Sequence, residues 1–600
     1  PTPWLLSARG EAALRAQAAR LREHLSTRPE LTNDQVAGAL SSGRSAFDHR
    51  AVLLADDRES FTELLTALAE DRTAEGLVRG VAAAGGRTVF VFPGQGTQWA
   101  GMAAGLLEAS EVFRDSVRAC DAALAQYADW SVEDVLRGSE DAPPIERMDV
   151  VQPVLFTMMV SLAALWRSHG ITPAAVVGHS QGEIAAAHVA GALTLSDAMR
   201  IVALRSRLLL ALAGQGAMAS VSLPEDEVAA RIEAWPGELH IAAVNGPRSI
   251  VVAGDPGTVD GFVEALAAED VRVRKVRVNG AGHSPQVEPL REAVLEALAG
   301  IEPRPARTAF YSTVTGGALD TTELGTAYWY RNMREPVRFA HAVRSLLEDG
   351  YRTFVESSPH PVLGPGVQEA AEELPGTGEV TVVGTLRRDE GGPARFLRSL
   401  AEAHVHGARP DWATVLGGAP ATAVELPTYA FQRQRYWLDL PTAHGAAAGD
   451  ALRDPAEERF WAAVSEADPA GLAEALGVDD PDARAALAAA APALPVLSSW
   501  RARRRDGSTI DNWRYRVRWR RIARTEGAEL SGTWLLVVPG GEDDGTAAFC
   551  ARALGEHGAR VVTVSPAADD PSGDGLGERI AEAVAEGPAG VLSLLALDEG

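Results

Sequence analysis

The run Val176-Val177-Gly178-His179-Ser180-Gln181-Gly182-Glu183 constrains this chain more than any other stretch. A β-branched apolar segment enters G-x-S-x-G, and residues 183–192 (EIAAAHVAGA) continue as a small, apolar, helix-forming stretch suited to close packing behind a tight turn. A serine at such a strand-turn-helix corner has its hydroxyl exposed. The next N–H lies at a helix N-terminus, where developing negative charge is stabilised. Ser180 is therefore read as a nucleophile and the N–H of Gln181 as part of an oxyanion hole. In a chain with 58 glycines the pentapeptide alone is a weak signal, and the flanking strand and helix carry the reading.

The strand 88–92 (TVFVF) runs into Pro93-Gly94-Gln95-Gly96, and after a helix at 153–166 comes a second strand at 174–177. Apolar strands separated by helices imply a parallel sheet covered on both faces, with the ligand crevice at the strand carboxyl ends. Gln95 and Ser180 would both sit there, and the Gln95 turn would supply the second oxyanion N–H. Residues 217–278 change to a βαββαβ order, expected as a ferredoxin-like lid inserted into the larger body. The fold class is thus α/β: a hydrolase-like parallel-sheet domain with that inserted subdomain, an α+β linker domain before it, and a partial, degenerate Rossmann-like domain at the end.

A serine needs a base. The best-placed candidate is His283, in Val278-Asn279-Gly280-Ala281-Gly282-His283 just after the last lid strand, where two glycines let the backbone enter the cleft. His179 is the rival, with its side chain expected to point away from adjacent Ser180; a purely structural role for His283 stays open. The helix after Ser196-Asp197 places Ala198, Ile201, Val202, Arg205, Leu208, Leu209 and Leu212 on one stripe. Arg205 is thus a cation on an apolar face. It must meet a carboxylate, from the protein or from a ligand, and its fork suits bidentate binding. Arg200 and Arg207 fall off the stripe and are expected in solvent.

The flanks carry less chemistry. Residues 1–87 combine a helix (10–25), a strand (50–55) and a helix (58–69) and end in a flexible joint at 81–86. Residues 426–437 (LPTYAFQRQRYW) concentrate aromatics and cations, as a linker strapped over a neighbouring domain or as an ordinary surface strand. A Gly/Ala linker at 444–450 precedes two amphipathic helices, from 454 and at 481–491, an association element without a core of its own. Arg501 to Arg505 reads as a solvated linker face, and 513–519 (WRYRVRW) as a half-buried strand. Alternating strands and helices then form half of a Rossmann-like sheet whose first turn, 539–544, lacks G-x-G-x-x-G and so should bind no nucleotide.

Lys and Arg number 56 against 81 Asp and Glu, a net charge of −25, which argues against nucleic acid and anionic membranes as partners. Cys120 and Cys550 lie far apart without metal-ligand neighbours, so neither a disulfide framework nor a metal site is expected. No uninterrupted apolar run reaches the ~18 residues that cross a bilayer, and no signal peptide opens the chain; a cytoplasmic location is expected. Pro1 and a last segment that stops amid alternating patterns read as a piece of a longer polypeptide.

Residues 88–437 resemble the acyltransferase domain of modular type I polyketide synthases, through VFVFPGQGTQWAGM, DVVQPVLF, VVGHSQGEIAAAHVAGAL, AAVNGPRSIVVAG, GHSPQVE, YWYRNMREPVRF, ESSPHPVL and LPTYAFQRQRYW. The resemblance divides the chain into a ketosynthase-acyltransferase linker domain (1–87), the acyltransferase (88–420, lid 217–278), a post-acyltransferase linker (421–453), a helical dimerisation element (454–509) and a truncated ketoreductase structural subdomain (510–600). It implies that Ser180 is acylated by an α-carboxyacyl-CoA, that His283 is its base in a dyad held by backbone carbonyls, and that Arg205 grips the substrate carboxylate. The acceptor would be the phosphopantetheine thiol of an acyl carrier protein. No cofactor is implied for this fragment, NADPH serving only the missing half of the ketoreductase. Ketosynthase and ketoreductase in cis and a homodimer of the whole synthase are the implied partners.

Family members using α-substituted malonyl units typically carry Gln after the serine, as Gln181 does here. The tetrapeptide ending in the base is commonly Tyr-Ala-Ser-His in methylmalonyl users and His-Ala-Phe-His in malonyl users, whereas this chain has Gly280-Ala281-Gly282-His283. Space at Gly280 and Gly282 leads to the expectation of methylmalonyl or larger, with ethylmalonyl favoured. The alternatives are a G-x-S-x-G acyl-thioester hydrolase acting as an editing thioesterase, which leaves the Arg205 cation unexplained, and a non-catalytic scaffold.

Overall fold

A computed structural model describes residues 1–82, 87–276, 280–418, 424–432, 455–513, 529–539, 545–565, 579–580 and 587–595. The chain divides into two compact units, Pro1–Tyr436 and Trp437–Gly600.

The first unit is organised by a six-stranded sheet in the order Gly317–Ala318, Ala309–Ser312, Ala175–Gly178, Thr88–Phe92, Thr353–Glu356, Thr381–Gly384. Every pairing is parallel except that of the short first strand. Successive side chains of a strand face opposite sides. Phe90, Phe92 and Val176 accordingly pack against the helices of one face, while Val89, Val91, Ala175 and Val177 pack with Phe339 and Leu346 on the other. Both faces are covered, which is why these strands read as unbroken apolar runs. The helix Met148–Ser168 is long and apolar enough to cross a membrane by length and composition, yet 83% of its most apolar window is buried in this core.

Residues 217–275 form a four-stranded antiparallel sheet, ordered Leu239–Gly246, Ser249–Gly254, Ala217–Val221, Val273–Lys275. Its two helices, Glu225–Glu233 and Pro256–Ala268, fall where the alternating pattern places them. The last strand is shorter than expected, and 277–279 lie outside the described residues. This sheet is tied to the body by main-chain bonds: Val244 N–H donates to Val337 O at 2.8 Å and Val337 N–H to Ala242 O at 2.9 Å.

The first 82 residues build a three-stranded antiparallel sheet, Thr2–Ala8, His49–Ala55, Leu77–Val81, with helices Glu11–Thr27, Asn33–Ser42 and Arg58–Ala69. The outer strands and the middle helix escaped the sequence reading; the helix starts at a Thr32/Gln35 capping box. Within 424–432 the chain lies on this domain. Tyr429 accepts from Arg9 N–H through its hydroxyl and stacks edge-on against Phe47, while Arg44 donates to the carbonyls of Leu426 and Pro427. Residues 433–437 and the linker 444–450 lie outside the described residues.

Three expectations for the second unit are corrected. The stretch from 454 and the segment 481–491 give Pro455–Ser465, Pro469–Ala475 and Pro481–Ala489, because Pro469 and Pro481 each start a new helix behind an Asp cap. Their apolar sides, with Leu494, share a small core of Ala463, Val464 and Leu472. The boundary placed at 509/510 falls inside a helix, Leu494–Trp513. Trp513 ends that helix rather than opening a strand, and 514–519 lie outside the described residues. The arginine cluster is helical too, and Arg501 stacks on Trp461 at 4.3 Å. The end of the chain forms a parallel sheet, Arg560–Val564, Thr533–Val537, Gly590–Ser593; its 540–544 turn and most of the 578–587 helix lie outside the described residues.

Candidate active site

The elbow follows from its two glycines. A Cβ on Gly178 would lie 2.2 Å from Glu183 N, and one on Gly182 would lie 2.0 Å from Phe92 O. No other residue lets the helix Gly182–Ala190 start so close to two strand ends. Ser180, between them, is held at φ +55°, a left-handed conformation unfavourable for any residue with a Cβ.

Ser180 Oγ lies 2.8 Å from His283 Nε2. The other ring nitrogen, Nδ1, donates to the carbonyl of Glu335 at 3.0 Å, and the His283 N–H donates to Met333 O at 2.8 Å. The Nδ1 bond sets the tautomer with Nε2 unprotonated toward Ser180 Oγ, and the main-chain bond holds the loop. His179 lines the same cavity, where its Nε2 is engaged 2.7 Å from Asn245 Oδ1 rather than with Ser180. Burial, then the Arg205 cation, then His179 depress the His283 pKa to about 3, against a smaller opposing effect of the Glu335 carbonyl. The imidazole is therefore neutral, as a general base must be.

Arg205 is buried on the helix Leu195–Leu209. Nη2 donates to Ser180 Oγ at 3.3 Å, Nη1 donates to Asn332 Oδ1 at 2.6 Å, and Nε has no partner among the described residues. Burial lowers its pKa to about 10, partly offset by Glu183, so it remains a cation. No carboxylate touches it among the described residues. Arg207 is exposed as expected, whereas Arg200 is half-buried and donates twice to Ala297 O; its long stem lets the head reach a helix-end carbonyl.

Ser180, Arg205, His283, Gln95, Gly280, Ala281 and Gly282 line one cavity of about 310 Å³. The lid contributes Met218 and Ser220, and Val362 and Leu363 close another side. Gln95 Nε2 rests on Met148 Sδ. Gln181 is absent from this wall: its side chain is buried, with no partner for either amide atom among the described residues.

Sequence reasoning missed the support behind these groups. Glu183, wholly buried, accepts from Thr313 N–H and Oγ, from Tyr328 Oη at 2.8 Å and from Asn332 Nδ2 at 2.7 Å. Burial outweighs these bonds and raises its pKa to about 6. Asn332 and Glu335 belong to YWYRNMREPVRF, a segment that carries the resemblance but does not mark their roles. Residues 333–338 accept from His283 N–H, pair with the lid strand through Val337 and, through Arg338 N–H, donate to Thr313 O. Glu356 caps the N–H groups of Val362, Leu363 and Gly364, setting the cavity wall.

The family model of the acyl transferase domain matches residues 89–410. The CurL-like polyketide synthase C-terminal model matches 3–65, and the polyketide synthase dimerisation element model 457–506. The chain is 51% identical over 601 residues to polyketide synthase GfsA of Streptomyces halstedii and 45% over 604 residues to erythronolide synthase EryA2 of Saccharopolyspora erythraea. It spans only 8% and 15% of those proteins, although they cover 100% of it. The acyltransferase domain from module 8 of the salinomycin polyketide synthase superposes with a TM-score of 0.67 at 54% identity, over 69% of this chain and 97% of that one. A loading acyltransferase from the avermectin modular polyketide synthase gives 0.51 at 55% identity, over 53% and 99%. The chain belongs to the acyltransferase domains of modular type I polyketide synthases, and it carries a polyketide synthase dimerisation element behind its acyltransferase domain.

Proposed function

We propose that this domain takes an α-substituted malonyl unit from CoA onto Ser180 and passes it to the phosphopantetheine thiol of an acyl carrier protein. The observation that carries the reading is Arg205: a buried cation 3.3 Å from the nucleophile, in the same cavity, with no carboxylate of the described residues against it. An α-carboxyacyl group supplies the missing anion. A thioester hydrolase would leave that cation unexplained.

Ser180 Oγ attacks the thioester carbon while its proton passes to His283 Nε2. The oxyanion is held by the N–H groups of Gln95 and Gln181, and collapse expels CoA thiolate, which takes the proton from His283. The carrier thiol then reverses the sequence, so both proton transfers run through His283 and the exchange needs no cofactor. A carboxylate on Arg205 offsets the cation that depresses the imidazole, making a dicarboxylic substrate a better partner for the base than a simple acyl group.

The glycines at 280 and 282 support methylmalonyl or ethylmalonyl as the unit, with Ala281 between them and Gln181 behind the elbow. The match at 457–506 and the exposed Val496, Leu497 and Trp500 support a homodimer. Ketosynthase and ketoreductase neighbours in cis and a cytoplasmic location complete the reading, NADPH serving only such a reductase. Intact mass spectrometry after exposure to mixed malonyl, methylmalonyl and ethylmalonyl thioesters tests it: the substituted units should accumulate on wild type and none on Ser180→Ala. Arg205→Ala should lose methylmalonyl-CoA far more than propionyl-CoA; equal losses would remove the carboxylate role.

A further inference from the structure

Arg205 and Glu183 are opposite charges buried in one site, yet they do not touch: the side-chain amide of Asn332 lies between them. Its Oδ1 accepts from Arg205 Nη1 at 2.6 Å, and its Nδ2 donates to Glu183 Oε2 at 2.7 Å and to Ser180 O at 3.2 Å. The amide can point only one way. Turned over, it would present N–H to a guanidinium that has only donors and its oxygen to a carboxylate that, when ionised, only accepts. Glu183 is in turn fixed by Thr313 and Tyr328, so the orientation of the guanidinium traces back through Asn332 to the strand end at Thr313.

We propose that Asn332 is a positioning residue that aims Arg205 while keeping it chemically unsatisfied, so that its charge stays available to the acid end of the substrate. A carboxylate at position 332 would aim the guanidinium equally well but would also neutralise it, and the cavity would lose its anion site. An apolar residue would leave the charge free and the fork unaimed. Only an uncharged group with an acceptor facing Arg205 and a donor facing Glu183 does both, and an amide has that pair of faces. The separation also keeps Glu183 from closing directly on Arg205 as a self-contained ion pair. This inference rests on the carboxylate role of Arg205 proposed above.

The test compares two thioesters that differ only in the free acid, methylmalonyl-CoA and propionyl-CoA, in steady-state transfer by the intact chain. Asn332→Asp brings a negative charge to Arg205, with one proton shared between the new carboxylate and Glu183. It should raise KM for methylmalonyl-CoA about 10- to 100-fold, the worth of one or two charge-assisted hydrogen bonds. With propionyl-CoA the loss should be at least about 10-fold smaller, because whatever the lost Asn332 bond to Ser180 O costs falls on both thioesters alike and only the dicarboxylic one needs the Arg205 charge. Asn332→Ser, neutral but shorter, should lie between wild type and Asn332→Asp.

Equal losses on both thioesters, or no loss on methylmalonyl-CoA, would overturn the proposal. So would failure of both variants to fold, which would make Asn332 a structural residue. Arg205→Ala separates this idea from the reading beneath it. If that variant discriminates between the thioesters and Asn332→Asp does not, the positioning role alone falls; if Arg205→Ala fails to discriminate, the carboxylate site falls with it.

Discussion

Ser180 and His283, whose Oγ and Nε2 are 2.8 Å apart, both sit in the left-handed backbone region, at φ +55° and +57°. Two side-chain-bearing residues in that region each cost about 1–2 kcal/mol relative to ordinary helical geometry. The surrounding structure holds both. Ser180 is clamped between Gly178 and Gly182, and His283 hangs from Met333 and Glu335 by its own N–H and its ring. The strain brings the hydroxyl and the imidazole into one cavity from segments about a hundred residues apart.

Substitution at the elbow should separate stability from chemistry. Ser180→Gly and Ser180→Ala should both abolish acyl loading in an intact-mass assay. Glycine relieves about 1–2 kcal/mol of left-handed strain and costs roughly 0.5–1 kcal/mol in unfolded-chain entropy, so Ser180→Gly should be the more stable by about 0.5–1 kcal/mol. Urea midpoints measure this, and a less stable glycine variant would contradict the strain argument.

The neutral His283 can be seen directly. Its ring-carbon NMR signal, identified as the one lost in His283→Gln, should keep its neutral position down to pH 5, because the native pKa lies at about 3. The stability effect has a definite sign. Below the ordinary histidine pKa, near 6.5, the unfolded chain takes up a proton that the native site refuses, so stability falls as pH drops through about 6.5 toward 3. His404, buried and beside Arg50, is depressed to about 3 as well and steepens the fall. A titration midpoint near 6.5 would mean that the imidazole is not buried as described.

Selectivity should be more sensitive at Gly282 than at Gly280. A Cβ at Gly282 meets nothing within 4 Å, whereas one at Gly280 would press on the Leu212 carbonyl oxygen at 3.3 Å. Gly282→Ser should therefore lower the ethylmalonyl-to-malonyl ratio by about 3- to 10-fold without lowering the melting temperature. Gly280→Tyr should shift preference the same way but with a loss of stability. A competition assay with mixed thioesters reads both, and an unchanged ratio in Gly282→Ser would remove the pocket argument.

Glu356 is, after Glu183, the second buried carboxyl group of this site, and it bears on the wall rather than the chemistry. Burial raises its pKa to about 7 despite the N–H groups of Val362, Leu363 and Gly364, which pull the other way. Glu356→Ala leaves those three donors unpaired and should cost about 3 kcal/mol or more, whereas Glu356→Gln should cost about 1–2 kcal/mol. A raised native pKa means that this group's stabilisation is complete below about 4.5 and lost as pH rises through about 7. The wild-type minus Glu356→Gln stability difference should therefore shrink between pH 5 and 8.

Local pattern carried a large part of this protein. The G-x-S-x-G corner, the apolar central strands, the βαββαβ order and the lone cation on the Arg205 stripe are readable because each is written in consecutive residues or at one helical period, and ordinary secondary-structure periodicity decodes them. The four-residue strands Ala309–Ser312, Thr353–Glu356 and Thr381–Gly384 were missed because they are too short to show a period and no turn motif follows them as G-x-S-x-G follows Ala175–Gly178. The helix running through 509/510 was missed because an arginine-rich stretch resembles a linker until a partner such as Trp461 is known.

What only the tertiary structure decided is who stands behind the reacting groups. Asn332, Glu335 and Thr313 come from segments 130 or more residues beyond Glu183 or some fifty beyond His283, and nothing in their own neighbourhood marks what they support. A buried charge is stable only among partners, and those partners are chosen by the closure of the sheet around it rather than by adjacency in the chain. Ser180, His283 and Arg205 could thus be singled out from one dimension, and the structure brings them to one cavity. Which groups face the cation was decided in three: Asn332 and Ser180 bond it, and no carboxylate does among the described residues.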